Sequence, residues 1–348
     1  MEREHGRMRI AVIGGGRIGF LHAQNVHRNA DEMELAAVVE PRPSPELSRW
    51  AASRSIPLAR DVVELAALAP GASGSAPELD AILIATPTDT HGELVRAAAR
   101  CGVHVFCEKP IAPDLEATHA VLKEADRAGV VFQVGFNRRY DHNFRAIRDA
   151  VEAGTIGEIE LVHVISRDPA PPPLEYVRHS GGLFADMAIH DFDMVRYLSG
   201  QEVASVFARG ACLVDPAIGE AGDIDTAVVS LRFASGALGT IENSRRAAYG
   251  YDQRASVFGS RGALESANDT ASTVILSDGD GVHAERPLHF FLERYRASFE
   301  RELLAFAASV KAKTPPEVTG NDGLQAMRLA LACNRSLLAR REVQLEEI

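Results

Sequence analysis

The sequence predicts an α/β fold in two parts. Residues 1–135 read as a doubly wound parallel sheet, and residues 136–348 as an α+β domain with a large open, mostly antiparallel sheet. Three observations predict this. A glycine-rich turn, Gly14-Gly15-Gly16-Arg17-Ile18-Gly19, lies between an apolar strand and a helix. Short apolar strands then alternate with helical stretches as far as Val134, which implies a parallel sheet with right-handed crossovers. Beyond that point the period drops to two. Val229, Leu231 and Phe233 alternate with Ser230 and Arg232, the pattern of a sheet packed on one face.

Met8–Ile13 is the first strand, and the helix after the glycines runs to about Arg28. Gly14 permits a tight turn, Gly16 lets a pyrophosphate approach the backbone, and Gly19 lets the helix pack on the strand. Arg17 and Ile18 complete the turn, and the helix N-terminus offers N–H groups and a positive dipole to an anion. Ordinary loops share such glycines, so the second strand matters. Glu34–Val39 ends in Glu40, placed to accept hydrogen bonds from a ribose diol and to repel a 2′-phosphate. The expected cofactor is therefore NAD rather than NADP, with Arg42 softening the preference. Glu40 also suits an exposed turn before Pro41.

Next come the strand Ala81–Ala85, Thr86-Pro87-Thr88 and a helix from about Asp89. The strand His104–Cys107 ends in Glu108-Lys109-Pro110, and a helix from about Asp114 leads to the strand Val130–Val134. Ligands of such sheets bind beyond the carboxyl ends of strands, where Thr86, Pro87, His91, Glu108 and Lys109 fall. Lys109, beside a proline, sits in extended backbone. In a dry cleft its ammonium donates to a substrate oxygen and a cofactor hydroxyl; on a solvated loop it does neither. Pro70–Leu79 reads as a surface loop.

In the second part a helix covers Asp141–Glu152. Strands follow at Ile159–Arg167, Val203–Leu213, Ile224–Phe233, Leu238–Arg246 and Arg254–Phe258. Gly236 and the Gly259–Gly262 turn separate strands as hairpins do. Helices Leu292–Lys313 and Asn321–Arg340 are parted by Pro315-Pro316. The run Gly181–Leu198 reads as one helix. Phe184, Met187, Val195 and Leu198 make an apolar stripe, and Asp186, His190, Asp193 and Tyr197 a polar one. At i and i+4, Asp186 can orient His190 and raise its basicity, as a general base requires. The same spacing also suits a solvated helix face.

Composition narrows the class. A net charge of −11 without basic clusters argues against nucleic acid or anionic membrane as partner. No apolar run approaches a bilayer span, and residues 1–7 read as an unstructured lead. Cys101, Cys107, Cys212 and Cys333 are scattered without CxxC spacing, which fits reduced thiols in the cytoplasm and no metal framework. An open sheet face needs a cover, so a homo-oligomer, tetramer or dimer, is expected through the second part.

Taken together, the glycine turn, Thr86-Pro87, Glu108-Lys109-Pro110 and Gly181-Gly182 with Asp186-x-x-x-His190 resemble the Gfo/Idh/MocA oxidoreductases over nearly the whole chain. Within that family VGFNRRYD, SRDPAPPP, SGGLFADMAIHDFDM, DPAIGEAGDIDTA and NSRRAAYGYDQR resemble bacterial inositol 2-dehydrogenases. The resemblance implies a Rossmann domain and oxidation of myo-inositol at C2. It implies His190 as proton acceptor, Asp186 as its orienter and Lys109 as the group on the reacting oxygen. Arg138, Asp168 and Tyr249 match positions lining the polyol site. Ser166 and Asp168 stand where some relatives carry histidine and asparagine. Three alternatives stay open: another sugar or polyol, an NAD(H)-sensing binding protein, and metal-assisted hydrolysis through Asp186, His190, Asp191 and Asp193.

Overall fold

The computed structural model describes residues 6–68 and 79–348. Most of the predicted lead (residues 1–5) and of the Pro70–Leu79 loop (residues 70–78) lies outside the described residues. The chain divides into two compact units. The first comprises residues 1–136 and 299–324, the second residues 137–298 and 325–348.

In the first unit, strands β1 (Met8–Ile13), β2 (Met33–Val39), β3 (Leu58–Ala59), β4 (Ala81–Ile84), β5 (His104–Cys107) and β6 (Phe132–Val134) form one sheet. Its order is β3-β2-β1-β4-β5-β6 and every pairing is parallel. The order reverses between β1 and β4, and a doubly wound sheet opens its ligand crevice at that point. The crossover helices are α1 (Arg17–Arg28), α2 (Pro45–Ala52), α3 (Val62–Leu68), α4 (Thr88–Arg100) and α5 (Leu115–Ala128). Ser44 and Asp114 cap α2 and α5 by accepting from Leu47 N and Ala117 N, which satisfies first-turn donors. Ile10, Val12, Val38, Leu83 and Phe106 are buried in the core. Leu303, Phe306 and Ala307 join them, so residues 299–324 fall with the first unit although they follow the second in sequence. Their apolar stripe completes the core that the βα repeats leave open.

The second unit begins with a 3-10 turn (Asn137–Tyr140) and α6 (His142–Glu152), capped by Asp141. After β7 (Ile159–Arg167) come the short helices α7 (Leu174–Val177) and α8 (Gly182–Asp186), then α9 (Ile189–Ser199) and β8 (Val203–Ala211). There follow α10 (Pro216–Glu220), β9 (Thr226–Phe233), β10 (Leu238–Ser244), β11 (Asp252–Gly259) and β12 (Gly262–Ser266). An exposed hairpin of β13 (Ile275–Asp278) and β14 (Gly281–Ala284) precedes α11 (Phe291–Arg294), α12 (Arg296–Ala312), α13 (Gly320–Ala339) and β15 (Val343–Gln344), of which residues 299–324, most of α12 and the start of α13, belong to the first unit. The large sheet runs β12-β11-β7-β10-β9-β8-β15. Its pairings are antiparallel except β7 with β10, which is parallel. That pair has α7, α8, α9 and two further strands between its members, room enough for a crossover. Among the described residues no helix is long and apolar enough to cross a membrane.

The predicted helix over Gly181–Leu198 is two helices. Gly181 and Gly182 stand at φ +83° and +86°, and α8 lasts five residues. Leu183 O accepts from both Met187 N and Ala188 N, closing the turn, and α9 restarts with Ala188 as its N-cap. Asp186 therefore ends α8 and His190 stands in the first turn of α9, on either side of a break. The predicted polar stripe also ends early. Asp193 is buried against the Arg139 guanidinium at 2.5 Å, and the Tyr197 hydroxyl donates to Arg139 O. A tertiary arginine claims these groups, which helical spacing alone assigned to the outside.

Candidate active site

Within the first unit the predicted cofactor residues gather where β1, β2, β4 and β5 end. Gly14 is at φ +100°, and a Cβ there would lie 2.5 Å from Ala85 O. On Gly19 a Cβ would fall 1.9 Å from Gly14 O, so helix and turn meet only because both are glycine. A Cβ on Gly16 would meet nothing within 4 Å. The turn is thus closed toward the sheet and open outward at Gly16, beside Arg17 and Ile18. Gly16 forms no side-chain cap and the first turn of α1 carries no acid, which leaves its N–H groups available to phosphate. Glu40 is held at the same end, its carboxylate accepting from Gly15 N at 2.8 Å and Arg42 N at 3.0 Å. These residues fit a dinucleotide: an open glycine turn for pyrophosphate and a fixed carboxylate for a ribose diol.

The remaining first-unit candidates divide by direction. Thr86 and Pro87 follow β4, and the Thr86 hydroxyl accepts from Thr90 at 2.6 Å. His91 is buried, with both ring nitrogens 2.8 Å from backbone carbonyls, those of Thr86 and Pro110. It ties the two strand-end loops together. Glu108 turns inward onto His22, Oε1 to Nε2 at 2.7 Å. Lys109 is partly exposed, and its peptide bond to Pro110 is cis.

In the second unit, three polar side chains line up across the buried face of the sheet. Asn243, Ser166 and Gln253 are register partners on β10, β7 and β11. Asp191 of α9 lies over them, accepting from Asn243 Nδ2 at 2.6 Å and Arg138 at 2.6 Å. Arg138 also reaches Ser166 Oγ at 3.4 Å and faces the Tyr295 ring. Burial pushes the Asp191 carboxyl above the usual carboxylate range, against the opposing charge of Arg138. The buried network is thus a rigid floor, and Arg138 is part of it.

Above the floor, at the carboxyl ends of the parallel pair β7 and β10, stand Asp168 and Arg245. Asp168 N donates to Ser244 O, which fixes it just past the strand. The Asp168 carboxyl is pushed up to about 6 by burial first, with Asp186 and Asp191 adding and Arg245 and Arg138 opposing. Arg245 is almost wholly buried; one Nη lies 3.4 Å from Asp186 and 4.0 Å from Asp223. The Tyr176 hydroxyl donates to Asp186 at 2.8 Å. Asp223 in turn accepts from Leu183 N, and a Cβ on Gly182 would sit 3.0 Å from it, so this acid and this glycine together set the start of α8. His190 lies in the first turn of α9 and is partly exposed. Tyr249 belongs to another cluster: it donates to Asp252 at 2.5 Å and accepts from Arg167 at 3.0 Å.

The second unit thus brings Asp168 and Asp186 together around Arg245, above Arg138. A guanidinium between two carboxylates, with a phenol beside them, offers paired donors and acceptors to a ligand rich in hydroxyls. Sequence reasoning left out Arg245, Tyr176 and Asp223. The alternation Asn243, Arg245 beyond β10 was the available signal, since it points both residues to the same face. A hydrolytic metal site on α9 lacks its ligands, because Asp191 and Asp193 are each bound by an arginine.

Residues 8–136 match the oxidoreductase family model with an NAD-binding Rossmann fold, and residues 144–265 match the GFO/IDH/MocA C-terminal domain. The chain is 49% identical to the myo-inositol 2-dehydrogenase of Thermotoga maritima, over 98% of this chain and 99% of that one. A solved probable dehydrogenase from Thermotoga maritima superposes with a TM-score of 0.92 at 48% identity, covering 98% of this chain and 100% of that one. The scyllo-inositol dehydrogenase of Lactobacillus casei, solved with NAD(H) and scyllo-inositol bound, gives 0.87 at 29% identity, over 98% and 100% of the two chains. The chain belongs to the Gfo/Idh/MocA family of NAD-binding oxidoreductases.

Proposed function

We infer that this protein is an NAD-dependent inositol 2-dehydrogenase that converts myo-inositol to its 2-ketone, scyllo-inosose. The observation that carries the reading is the end-to-end likeness, at 49% identity, to an enzyme named for that reaction. NAD, when bound, accepts the hydride that leaves C2. The protein supplies position and proton traffic. His190 takes the hydroxyl proton, Asp186 holds the region around it through Tyr176 and Arg245, and Lys109 donates a hydrogen bond to the reacting oxygen. Asp168 and Arg245 pair with the other hydroxyls over the Arg138–Asp191 floor, and Tyr249, tied to Asp252 and Arg167, takes no part in that site. Glu40 favours NAD over NADP. Residues 1–135 carry the cofactor, and the sheet domain carries the substrate.

The unpacked sheet face supports self-association. Leu238, Leu161 and Phe258 are register partners on β10, β7 and β11, and all three are exposed. A continuous apolar row of this kind calls for a second copy of the chain, giving a dimer or tetramer. Light scattering tests this: a 37.5 kDa particle at every concentration contradicts it. The four free cysteines agree with a reducing compartment, the cytoplasm.

The functional test is absorbance at 340 nm with NAD, then NADP, against myo-inositol, scyllo-inositol and glucose. NADH formation with myo-inositol is expected, and faster than with glucose. Tight NADH binding with no oxidation of any polyol contradicts the reading and favours a sensor.

A further inference from the structure

Two fully buried titratable side chains, His22 and Glu302, meet the half-buried Glu108 next to Lys109 in sequence, and the chemistry above uses none of them. His22, on α1, is fully buried, and its ring packs edge-on against Phe106 and Phe299 at 5.3 and 5.7 Å. Its Nε2 is 2.7 Å from Glu108 Oε1, a hydrogen bond. Glu302, on α12, is fully buried, and neither carboxylate oxygen has a hydrogen-bond partner. One oxygen from each acid and one ring nitrogen all lie within 4.8 Å of one another. Phe106 and Phe299 give the cluster an apolar wall. From β6 comes Gln133, whose amide donates to the backbone carbonyl of Glu302 and not to its side chain.

Two carboxylates cannot both stay ionised at this separation in an apolar pocket whose third member is an imidazole. Either a cation or a proton must stand among them. His22 commits Nε2 to Glu108 at hydrogen-bond length, which is the geometry of a shared proton and not of two ligands spread around a metal. Glu108 is the more exposed of the two acids and has the imidazole beside it, so it holds the charge; Glu302 has neither advantage. We propose that His22, Glu108 and Glu302 form a buried triad in which Glu302 is a neutral carboxylic acid, and that the triad is a positioning device for the adjoining Lys109. Burial, and then the charge of Glu108, push the Glu302 carboxyl well above the usual range, in agreement. The backbone leaves Glu108 little freedom: its N donates to Ile84 O, and a Cβ on Gly135 would lie 3.0 Å from its carboxyl group. With the side chain pinned by His22 from inside and Gly135 from below, the next residue has a fixed origin. The positioning role rests on Lys109 acting at the reacting oxygen; the protonation does not.

Infrared spectra of the full-length enzyme at pH 7 test the protonation. A carboxylic-acid C=O band that shifts in D2O and vanishes in Glu302→Gln is expected. Absence of that band, or one equivalent of divalent metal retained after dialysis, overturns the triad. Kinetics test the positioning. Glu302→Leu should lower kcat about tenfold or more with KM for NAD within about threefold, and the neutral amide of Glu302→Gln should recover most of that loss. Equal loss in both variants, or loss confined to KM for NAD, overturns the role. If the wild type oxidises no polyol, the reading of Lys109 fails, and the infrared band alone decides the triad.

Discussion

Asp168→Asn should make this protein more stable and less active. The Asp168 carboxyl stands at about 6 against an ordinary 3.8, chiefly because it is buried, with Asp186 and Asp191 adding to the rise and Arg245 and Arg138 opposing it. Below about pH 4 both folded and unfolded chains keep the proton, and the group contributes nothing. Between about pH 4 and 6 the unfolded chain releases it while the folded chain retains it, so the fold loses stability as pH rises; above about 6 the loss is constant. Two pH units correspond to about 3 kcal/mol, and partial exposure of the side chain reduces this to about 1–3 kcal/mol. Asparagine has the shape of the protonated acid and cannot ionise. The variant should therefore melt above the wild type at pH 8, by about 2–4 °C per kcal/mol for a unit of this size. About half of the advantage should remain at pH 5. Turnover of the polyol should fall, because an acceptor carboxylate is gone. Calorimetric scans of both proteins at pH 5 and 8 measure the effect. A variant that melts below the wild type at pH 8, or a gap that does not narrow at pH 5, refutes the reasoning.

Three further outcomes follow from the same geometry. His190→Ala should cut turnover by about two to four orders of magnitude while leaving NAD affinity nearly unchanged; equal loss of NAD binding, by fluorescence titration, would show the residue misplaced. Glu40→Ala removes both the ribose partner and the anchor on Gly15 N, so the ratio of kcat/KM for NAD over NADP should drop; an unchanged ratio discredits Glu40 as the discriminator. Gly19→Ala puts a methyl group 1.9 Å from Gly14 O, and calorimetry should show lost NAD binding together with a lower melting temperature; full retention of both contradicts the close packing.

Much of the fold could be read from local pattern. The β1 boundaries, the glycine turn and five of the six parallel strands follow from residues near one another in sequence; the two-residue β3 (Leu58–Ala59) is too short to show a pattern. Asp114 and Asp141 mark helix starts because a cap acts within one turn. The parallel pairing of β7 with β10 was not legible, since hydrophobic period two is the same for either direction. Nor was the break after Asp186. It goes with Gly182 fitting against Asp223, forty-one residues away, and with Arg139 holding Asp193, contacts that only the tertiary fold makes. Arg245 and Glu302 share that difficulty: each looks like a surface charge until the tertiary fold buries it.

The central claim is hydride transfer from C2 of inositol to the nicotinamide of NAD. Incubation with myo-inositol deuterated at C2 and unlabelled NAD tests it most directly. NADH carrying one deuterium at C4, formed with the matching ketone, is the predicted result. Unlabelled NADH, or none at all, would contradict it.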